Sequence, residues 1–409
     1  MTRTIDPPWL REPHLQSLLA ALARNGHEAR VVGGAVRNAL LDLPAKDVDI
    51  ATTRRPDDVI ALGEAEGYRP VPTGIEHGTV TVVTPAGPYE VTTLRSDLET
   101  DGRHAVVAFG RDWRVDAERR DFTVNALYAD ATGSILDLVG GVEDLEKRLI
   151  RFIGDADCRI EEDALRILRF FRFHAQYGRG RPDTEGLKAC SRHKDMLRSL
   201  SAERVWSELK RLLEAPDPHR TVLWMRQTGV LTTILPESER WGIDTLAPLI
   251  ASERTFGLAP DPLRRLMSMV PPRPERMEEL GERLRMSNDD RDRLADWSTL
   301  SLGPDDRTTG EEETAAALYR IGQRTYLDHA LIAHARARPA EQDEIADRIV
   351  RARDWTRPIF PVRGRDLIER GHAAGPALGA TLDRLESEWI ASGFTLERDD
   401  LLSRVQAGP

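Results

Sequence analysis

Val31 to Thr52 reads VVGGAVRNALLDLPAKDVDIAT, and no other stretch constrains the chain as much. Ala29–Val32 predicts a short buried strand, Ala35–Leu43 a helix, and Asp47–Ala51 a second strand. Gly33-Gly34 is then the strand-to-helix turn, where backbone can approach a phosphate and a helix N-terminus attracts negative charge. Asp47 and Asp49 are two residues apart. On a strand their carboxylates share one face, about 7 Å apart along the backbone, while Val48 and Ile50 point into a core. Two hard oxygen ligands on one face suit one or two Mg²⁺ ions whose other ligands are substrate phosphates. A Gly-Gly turn or a DxD alone is commonplace, the first as a simple turn and the second as solvated charge. Thirteen residues apart and in this order, they predict one site: triphosphate at the turn, metal at the aspartates.

At 409 residues the chain has room for two to four domains with ample core. No apolar run approaches the ~18 residues that a membrane span needs. The opening MTRTIDPPWLREP lacks the apolar segment of a signal peptide, so a cytoplasmic protein is expected. Cys158 and Cys190 are too few and too distant for a disulfide framework or a zinc site, and a buried-thiol role is expected for them. A net charge of −10 argues against an indiscriminate nucleic-acid binder but leaves room for a local basic groove. Only five of the 58 basic residues are lysine (46, 147, 188, 194, 210). Arginine makes planar, bidentate contacts with phosphates and base edges, although a GC-rich genome produces the same bias.

The first half reads as mixed α and β. A helix is expected over His14–Asn25 and another near Pro56–Glu66, followed by strands Gly78–Thr84 and Tyr89–Leu94 around a Pro85-Ala86-Gly87-Pro88 turn. Ser96 to Asp116 is polar and reads as a long mobile loop carrying Asp101-Gly102-Arg103-His104. Beyond Ile160 helical periodicity dominates, punctuated by prolines.

Two further clusters carry chemistry. Arg119-Arg120-Asp121-Phe122-Thr123-Val124-Asn125-Ala126 places two cations, then a carboxylate and an amide, suited to a nucleotide's phosphates and ribose hydroxyls. Glu161 to Phe173 (EEDALRILRFFRF) predicts one helix with acidic residues in its first turn. Asp163, Arg166, Arg169 and Arg172 recur every three residues as a polar stripe, with Leu165, Leu168 and Phe171 facing the core. Local Asp163–Arg166 pairing accounts for one arginine but not for a run of three successive arginines without further acidic partners.

These residues resemble the class II tRNA nucleotidyltransferases (CCA-adding enzymes) and bacterial poly(A) polymerases, within the DNA polymerase β superfamily. The resemblance rests on GGAVR-x₉-DVD, RRDFTVNA, DLVGGVEDL and EDALRILRFFRF, and runs from Arg30 to Pro236, with Ser201-Ala202-Glu203-Arg204 and Ile234-Leu235-Pro236-Glu237 near its end. Gly364-Arg365-Asp366-Leu367 looks like the family's tail. It implies an α+β fold: a catalytic head over 28–152 with a small mixed or antiparallel sheet and flanking helices. An all-α neck over 153–238 and a helical body and tail over 239–409 follow, reading the base and binding tRNA. Asp47 and Asp49 then hold catalytic Mg²⁺. Gly33, Gly34 and Arg37 contact the triphosphate with Arg120 beside them, and Asp121 faces the ribose. Asp163 and Arg166 read the base, with Arg169 and Arg172 on the phosphate side. A third carboxylate is usual in the superfamily, and Glu90, in the strand expected beside the DxD strand, is the candidate. Asn38 stands where the family commonly has aspartate, a change expected to affect local capping.

The implied activity is addition or repair of the 3′-terminal CCA of tRNA from CTP and ATP, without a nucleic-acid template and with release of pyrophosphate. No membrane or DNA partner is implied. A poly(A) polymerase, a partial CC- or A-adding enzyme and an inactive RNA-binding protein are the competing readings. CC-only members lack a flexible loop that Arg95–Asp116 supplies here, and the acidic, lysine-poor C-terminus suits tRNA shape recognition better than arbitrary RNA. Base choice has its own physical logic. A carboxylate only accepts and a guanidinium only donates. Cytosine and adenine each set an amine donor beside a ring-nitrogen acceptor, which this pair complements. Uracil and guanine present the reverse order, and unpaired groups in a site built on hydrogen bonds cost on the order of 10⁴-fold in discrimination.

Overall fold

Alternating apolar residues build the first half of the chain. The computed structural model describes residues 3–100, 105–239, 242–299 and 310–405. In it α1 (Pro13–Leu22) precedes β1 (Ala29–Val32), α2 (Gly34–Leu40), β2 (Asp49–Thr52) and α3 (Pro56–Ala65). Next come β3 (Arg69–Gly74), β4 (Thr79–Thr84), β5 (Gly87–Thr93), β6 (Arg95–Thr100) and β7 (Ala105–Phe109). Then α4 (Trp113–Glu118), β8 (Leu127–Ala129), β9 (Ile135–Asp137) and α5 (Gly141–Glu146) complete the mixed region. Seven strands form one sheet in the order β3-β4-β5-β2-β1-β8-β9. β2 and β5 are parallel, and the other pairs are antiparallel. This mixed sheet with flanking helices is the α+β head expected from the sequence.

Register decides what each face carries. Ile50 pairs with Val31 and Val91, and Val91 with Val80, so these side chains share one face. All four are fully buried, as are Leu15, Leu18, Leu22 and Val59 of the helices α1 and α3 that cover that face. Each such side chain contributes about 1.5–3 kcal/mol relative to exposure. The opposite face carries Val32, Asp49 and Tyr128, because Val32 pairs with both of the others. Glu90 lies on that face too, one residue before Val91 as Asp49 is one before Ile50.

Several expectations change. The α2 helix stops at Leu40 rather than Leu43, because Asn38 accepts from the Leu43 amide and donates to the Pro44 carbonyl, closing a turn through Asp42 at φ 56°. β2 begins at Asp49, since its partner β1 ends at Val32; Asp47 and Val48 precede the ladder, and Val48 is half-buried rather than core. β3 went unpredicted because Pro70 and Pro72 interrupt it, which an edge strand tolerates. The expected loop is an antiparallel ribbon of β6 and β7 followed by α4. Asp101-Gly102-Arg103-His104 lie outside the described residues. Cys190 is buried, but Cys158 is exposed in the helix Ala156–Glu162, so the buried-thiol role holds for one cysteine only.

No strand follows Asp137 among the described residues. The chain divides into two units, residues 1–236 and 237–409. The first continues as α6 (Ala156–Glu162), α7 (Leu165–Tyr177), α8 (Thr184–Arg192) and α9 (Ala202–Leu213), with His219–Gln227 and Val230–Ile234 after them. The predicted single helix over 161–173 is broken. Asp163 adopts extended backbone (φ −154°, ψ 107°) and accepts from the Leu165 amide at 3.0 Å, so the acidic residues close α6 instead of opening α7.

The second unit is helical and hides an ion network. Asp328 accepts from Arg264 at 2.9 Å and twice from Arg293 at 2.6 Å, while Glu253 accepts from Arg265 at 2.8 and 2.9 Å. All five residues are buried. No helix among the described residues is long and apolar enough to cross a membrane.

Candidate active site

The site is organised around the turn after β1. Gly33 has φ 72°, and its amide donates to the Leu127 carbonyl at 2.9 Å. A side chain there is strained by the backbone alone. A Cβ on it would also lie 3.5 Å from the Asn125 carbonyl oxygen and 3.7 Å from Arg120 Nη1, so the RRDFTVNA segment passes directly over the turn. Gly34 opens α2, and Arg37 one turn on is buried. Its guanidinium donates to Asn125 Oδ1 at 2.5 Å and to the Tyr177 hydroxyl at 2.8 Å, and lies 4.0 Å from the Tyr177 ring centroid. Arg37 thereby ties α2 to RRDFTVNA and to α7.

Beside the turn lie the carboxylates. Asp47 is exposed just before β2, and Asp49 is half-buried at its first position. Parallel pairing of β2 with β5 puts Glu90 next to Asp49 on the same face. Burial, then the charges of Glu90 and Asp47, push the Asp49 carboxyl up to about 6, with Arg120 acting in the opposite direction. Among the described residues no three His, Cys, Asp or Glu side chains form a ready-made metal site. Two carboxylates repelling each other on adjacent interior strands fit a divalent ion that completes its shell with substrate phosphates.

RRDFTVNA is held by ions. Asp121 is half-buried against Arg169, which donates to Oδ2 at 2.8 Å, while Oδ1 accepts from the Phe122 amide and Asn125 Nδ2, each at 2.9 Å. Burial alone disfavours its charge, but Arg169 and these donors hold the carboxyl below the usual range. Asp116, in α4, accepts from both Arg119 and Arg120 and from the Tyr128 hydroxyl. The DLVGGVEDL turn supports the same segment from below. Asp137 Oδ1 accepts from the amides of Val139, Gly140 and Gly141, and Asp144 accepts from the Thr123 hydroxyl at 2.6 Å. A Cβ on Gly141 would meet the Thr123 carbonyl at 2.2 Å, so only glycine fits.

The arginine stripe on α7 is not short of acidic partners. Arg166 pairs with Glu162, Arg169 with Asp121, and Arg172, buried, with Glu208 of α9 at 2.5 Å. Asp163 accepts from Arg204 of α9 at 2.7 and 3.0 Å. Phe122, Phe152, Phe170 and Phe173 pack beneath this layer with centroids 5.0–6.3 Å apart. The fold thus brings Gly33, Arg37, Arg120, Asp121 and Arg169 into one connected cluster with Asp49 beside Arg120. Asp163 and Arg166 stand at the α6–α7 break, and Arg172 is turned into the α7–α9 interface. Sequence reasoning passed over Asp116, Glu208 and Arg204. The spacing of Asp116 from Arg119 and Arg120, three and four residues, was the available signal for the first.

Comparison with known proteins follows this geometry. A family model described as the poly A polymerase head domain matches residues 29–151, and one described as a probable RNA and SrmB-binding site of polymerase A matches residues 181–241. The mitochondrial CCA tRNA nucleotidyltransferase 1 of Mus musculus is 33% identical over 408 residues, covering 96% of this chain and 89% of that protein. The chain belongs to the class II CCA-adding enzyme family. A CCA-adding enzyme of Geobacillus thermodenitrificans is 43% identical over 232 residues, 56% of each chain. The crystal structure of the Bacillus stearothermophilus CCA-adding enzyme, in complex with CTP, superposes with a TM-score of 0.72 at 28% identity, covering 95% of this chain and 94% of that one. As a CCA-adding enzyme family member the protein is a nucleotidyltransferase, and nucleotidyltransferases of this family are generally dependent on divalent metal.

Proposed function

We propose that this protein adds or repairs the CCA end of tRNA from CTP and ATP with Mg²⁺ as its metal, in the cytoplasm. The observation that carries the reading is the placement of Asp49 beside Glu90 and of Arg120 over the Gly33 turn, with Asp121 and Arg169 tying that turn to the helix after the break that bears Asp163 and Arg166. In this reading residues 28–152 perform the chemistry, 153–238 select the base, and 239–409 hold the tRNA. Asp47 and Asp49 would hold the metal, with Glu90 as the third carboxylate. Mg²⁺, when bound, supplies activation of the 3′-hydroxyl and charge neutralisation on the leaving group.

The chain's own residues do the remaining work. Gly33 and Gly34 let the triphosphate approach backbone, and Arg37 and Arg120 hold its charge. The 3′-oxygen forms a bond to the α-phosphorus as the bond to pyrophosphate breaks, and the hydroxyl proton passes to solvent. Asp121, fixed by Arg169 and Asn125, positions the ribose side of the pocket. Asp163 offers acceptors and Arg166 donors, matching cytosine and adenine and leaving uracil and guanine mispaired. Arg169 and Arg172 stiffen the helix that carries them.

The test supplies purified protein with tRNA ending at the discriminator base, Mg²⁺, and CTP, ATP or both. Products that stop three nucleotides longer when both are present support the reading. Long A-tails on unstructured RNA, or unchanged tailing by Asp47→Ala, overturn it.

A further inference from the structure

Asp116 is 1% exposed, among the most deeply buried charges in the head. A buried carboxylate is tolerated only with compensating donors, and one arginine suffices for that. Here there are three donor groups. Oδ1 accepts from Arg119 Nε and Nη2 at 2.9 and 2.7 Å. Oδ2 accepts from Arg120 Nε and Nη2 at 3.3 and 3.1 Å and from the Tyr128 hydroxyl at 2.8 Å. Tyr128 sits on β8 opposite Val32 of β1, so the clamp is anchored to the same sheet as the Gly33 turn.

The arrangement sets the direction of Arg120. Its Nε–Nη2 edge is taken up by Asp116, and Nη1 is left pointing at the turn, 3.5 Å from the Asn125 carbonyl and 3.7 Å from where a Gly33 Cβ would lie. The same guanidinium feels Asp49. An unclamped arginine has several rotatable bonds and a carboxylate within electrostatic reach, so it would fall onto Asp49 and occupy the metal side of the site. Arg119, the next residue, would otherwise repel it; Asp116 separates the two by giving each its own oxygen.

We propose that Asp116 is a positioning residue for nucleotide transfer, holding Arg120 at the Gly33 turn for the triphosphate and away from the metal carboxylates. The inference rests on the nucleotide-site reading above. Its test is equilibrium binding of CTP and of CMP to the full-length protein with Mg²⁺ and no RNA. Asp116→Asn should weaken CTP about tenfold while changing CMP less than about twofold, because the monophosphate lacks the groups Arg120 holds. In an Arg120→Ala background the same substitution should add less than about twofold, the signature of one residue acting through another. A merely structural aspartate would lower the fraction of protein that binds and leave the CTP-to-CMP ratio alone, and that result overturns the proposal. Tyr128→Phe, which removes one donor to Asp116 and no charge, gives a second reading should Asp116→Asn fail to fold. It should lower the ratio about threefold, and an unchanged ratio again overturns the proposal. If Arg120→Ala itself leaves the ratio unchanged, the nucleotide-site assignment fails first and the positioning role goes with it.

Discussion

Asp163 and Arg166 stand three residues apart across a helix break, and each is bonded to something else. Asp163 accepts from Arg204 at 2.7 and 3.0 Å, while Arg166 donates to Glu162 and, at 2.8 Å, to the Arg159 carbonyl. A straight helix would have let the two neutralise each other on its surface. The extended backbone at Asp163 gives each its own partner instead, and both remain partly accessible.

Specificity should therefore be separable from catalysis. Asp163→Ala removes the acceptor without touching Asp47 or Asp49. It should raise incorporation of UTP and GTP relative to CTP and ATP by at least ~10²-fold, out of the ~10⁴ that a hydrogen-bonded site can impose. Competition assays with the four triphosphates on one tRNA measure it. Equal exclusion of UTP and GTP by the variant would remove Asp163 from base reading.

At the carboxylates, Asp49→Asn keeps shape and removes charge. Turnover should fall by ~10³-fold or more while the fold persists, because in the proposed reading the metal loses a ligand that catalysis needs throughout. Steady-state kinetics alongside circular dichroism decide it. A variant with near-normal turnover would place the metal elsewhere.

Stability should fall in acid through His174. The ring is buried on α7 with Nδ1 2.9 Å from the Thr221 hydroxyl, and burial pushes it down to about 4 from an ordinary 6.5. The unfolded chain binds the proton first, so this contribution is complete above pH 6.5 and is lost as pH falls from 6.5 towards 4. A shift of that size corresponds to no more than about 3 kcal/mol. Denaturant unfolding across that window should show the slope, and His174→Gln should flatten it.

In the second unit the buried ions are the sensitive point. Asp328, 0% exposed, is shared by Arg264 and Arg293. Asp328→Ala leaves Arg264 with Glu253 and Arg293 with Asp261 as remaining partners, removes the carboxylate the two share, and should cost about 3 kcal/mol. Urea unfolding of the full chain reads this directly, and a loss below about 1 kcal/mol would mean that water reaches the network.

Much of the head was legible because its signals are local. The β1 strand and the Gly33-Gly34 turn follow from alternation and turn chemistry over fewer than ten residues each, whereas the pairing of the Glu90 strand with the DxD strand joins segments forty-one residues apart and was expected only from the family resemblance. The β3 edge strand was hidden by its prolines, and β6 by the polar run Arg95–Thr100, which carries no apolar alternation. The helix break at Asp163 escaped because an aspartate before a leucine-rich run is also what a helix N-terminus looks like; which side of it the helix lies on depends on Arg204, forty-one residues away.

By itself the sequence determined the inventory of residues: two aspartates beside a glycine turn, an arginine-rich segment, and an aspartate and an arginine three residues apart before a leucine- and phenylalanine-rich helix. Those residues carry their chemistry wherever they stand, so type and spacing suffice to name them. Tertiary structure decided how each charge is used. Arg169 and Arg172 went to Asp121 and Glu208, Arg166 to Glu162, and Arg120 to Asp116. A charge leaving water takes the best oppositely charged neighbour the fold offers, and for Asp121 and Glu208 that neighbour lies dozens of residues away in the chain.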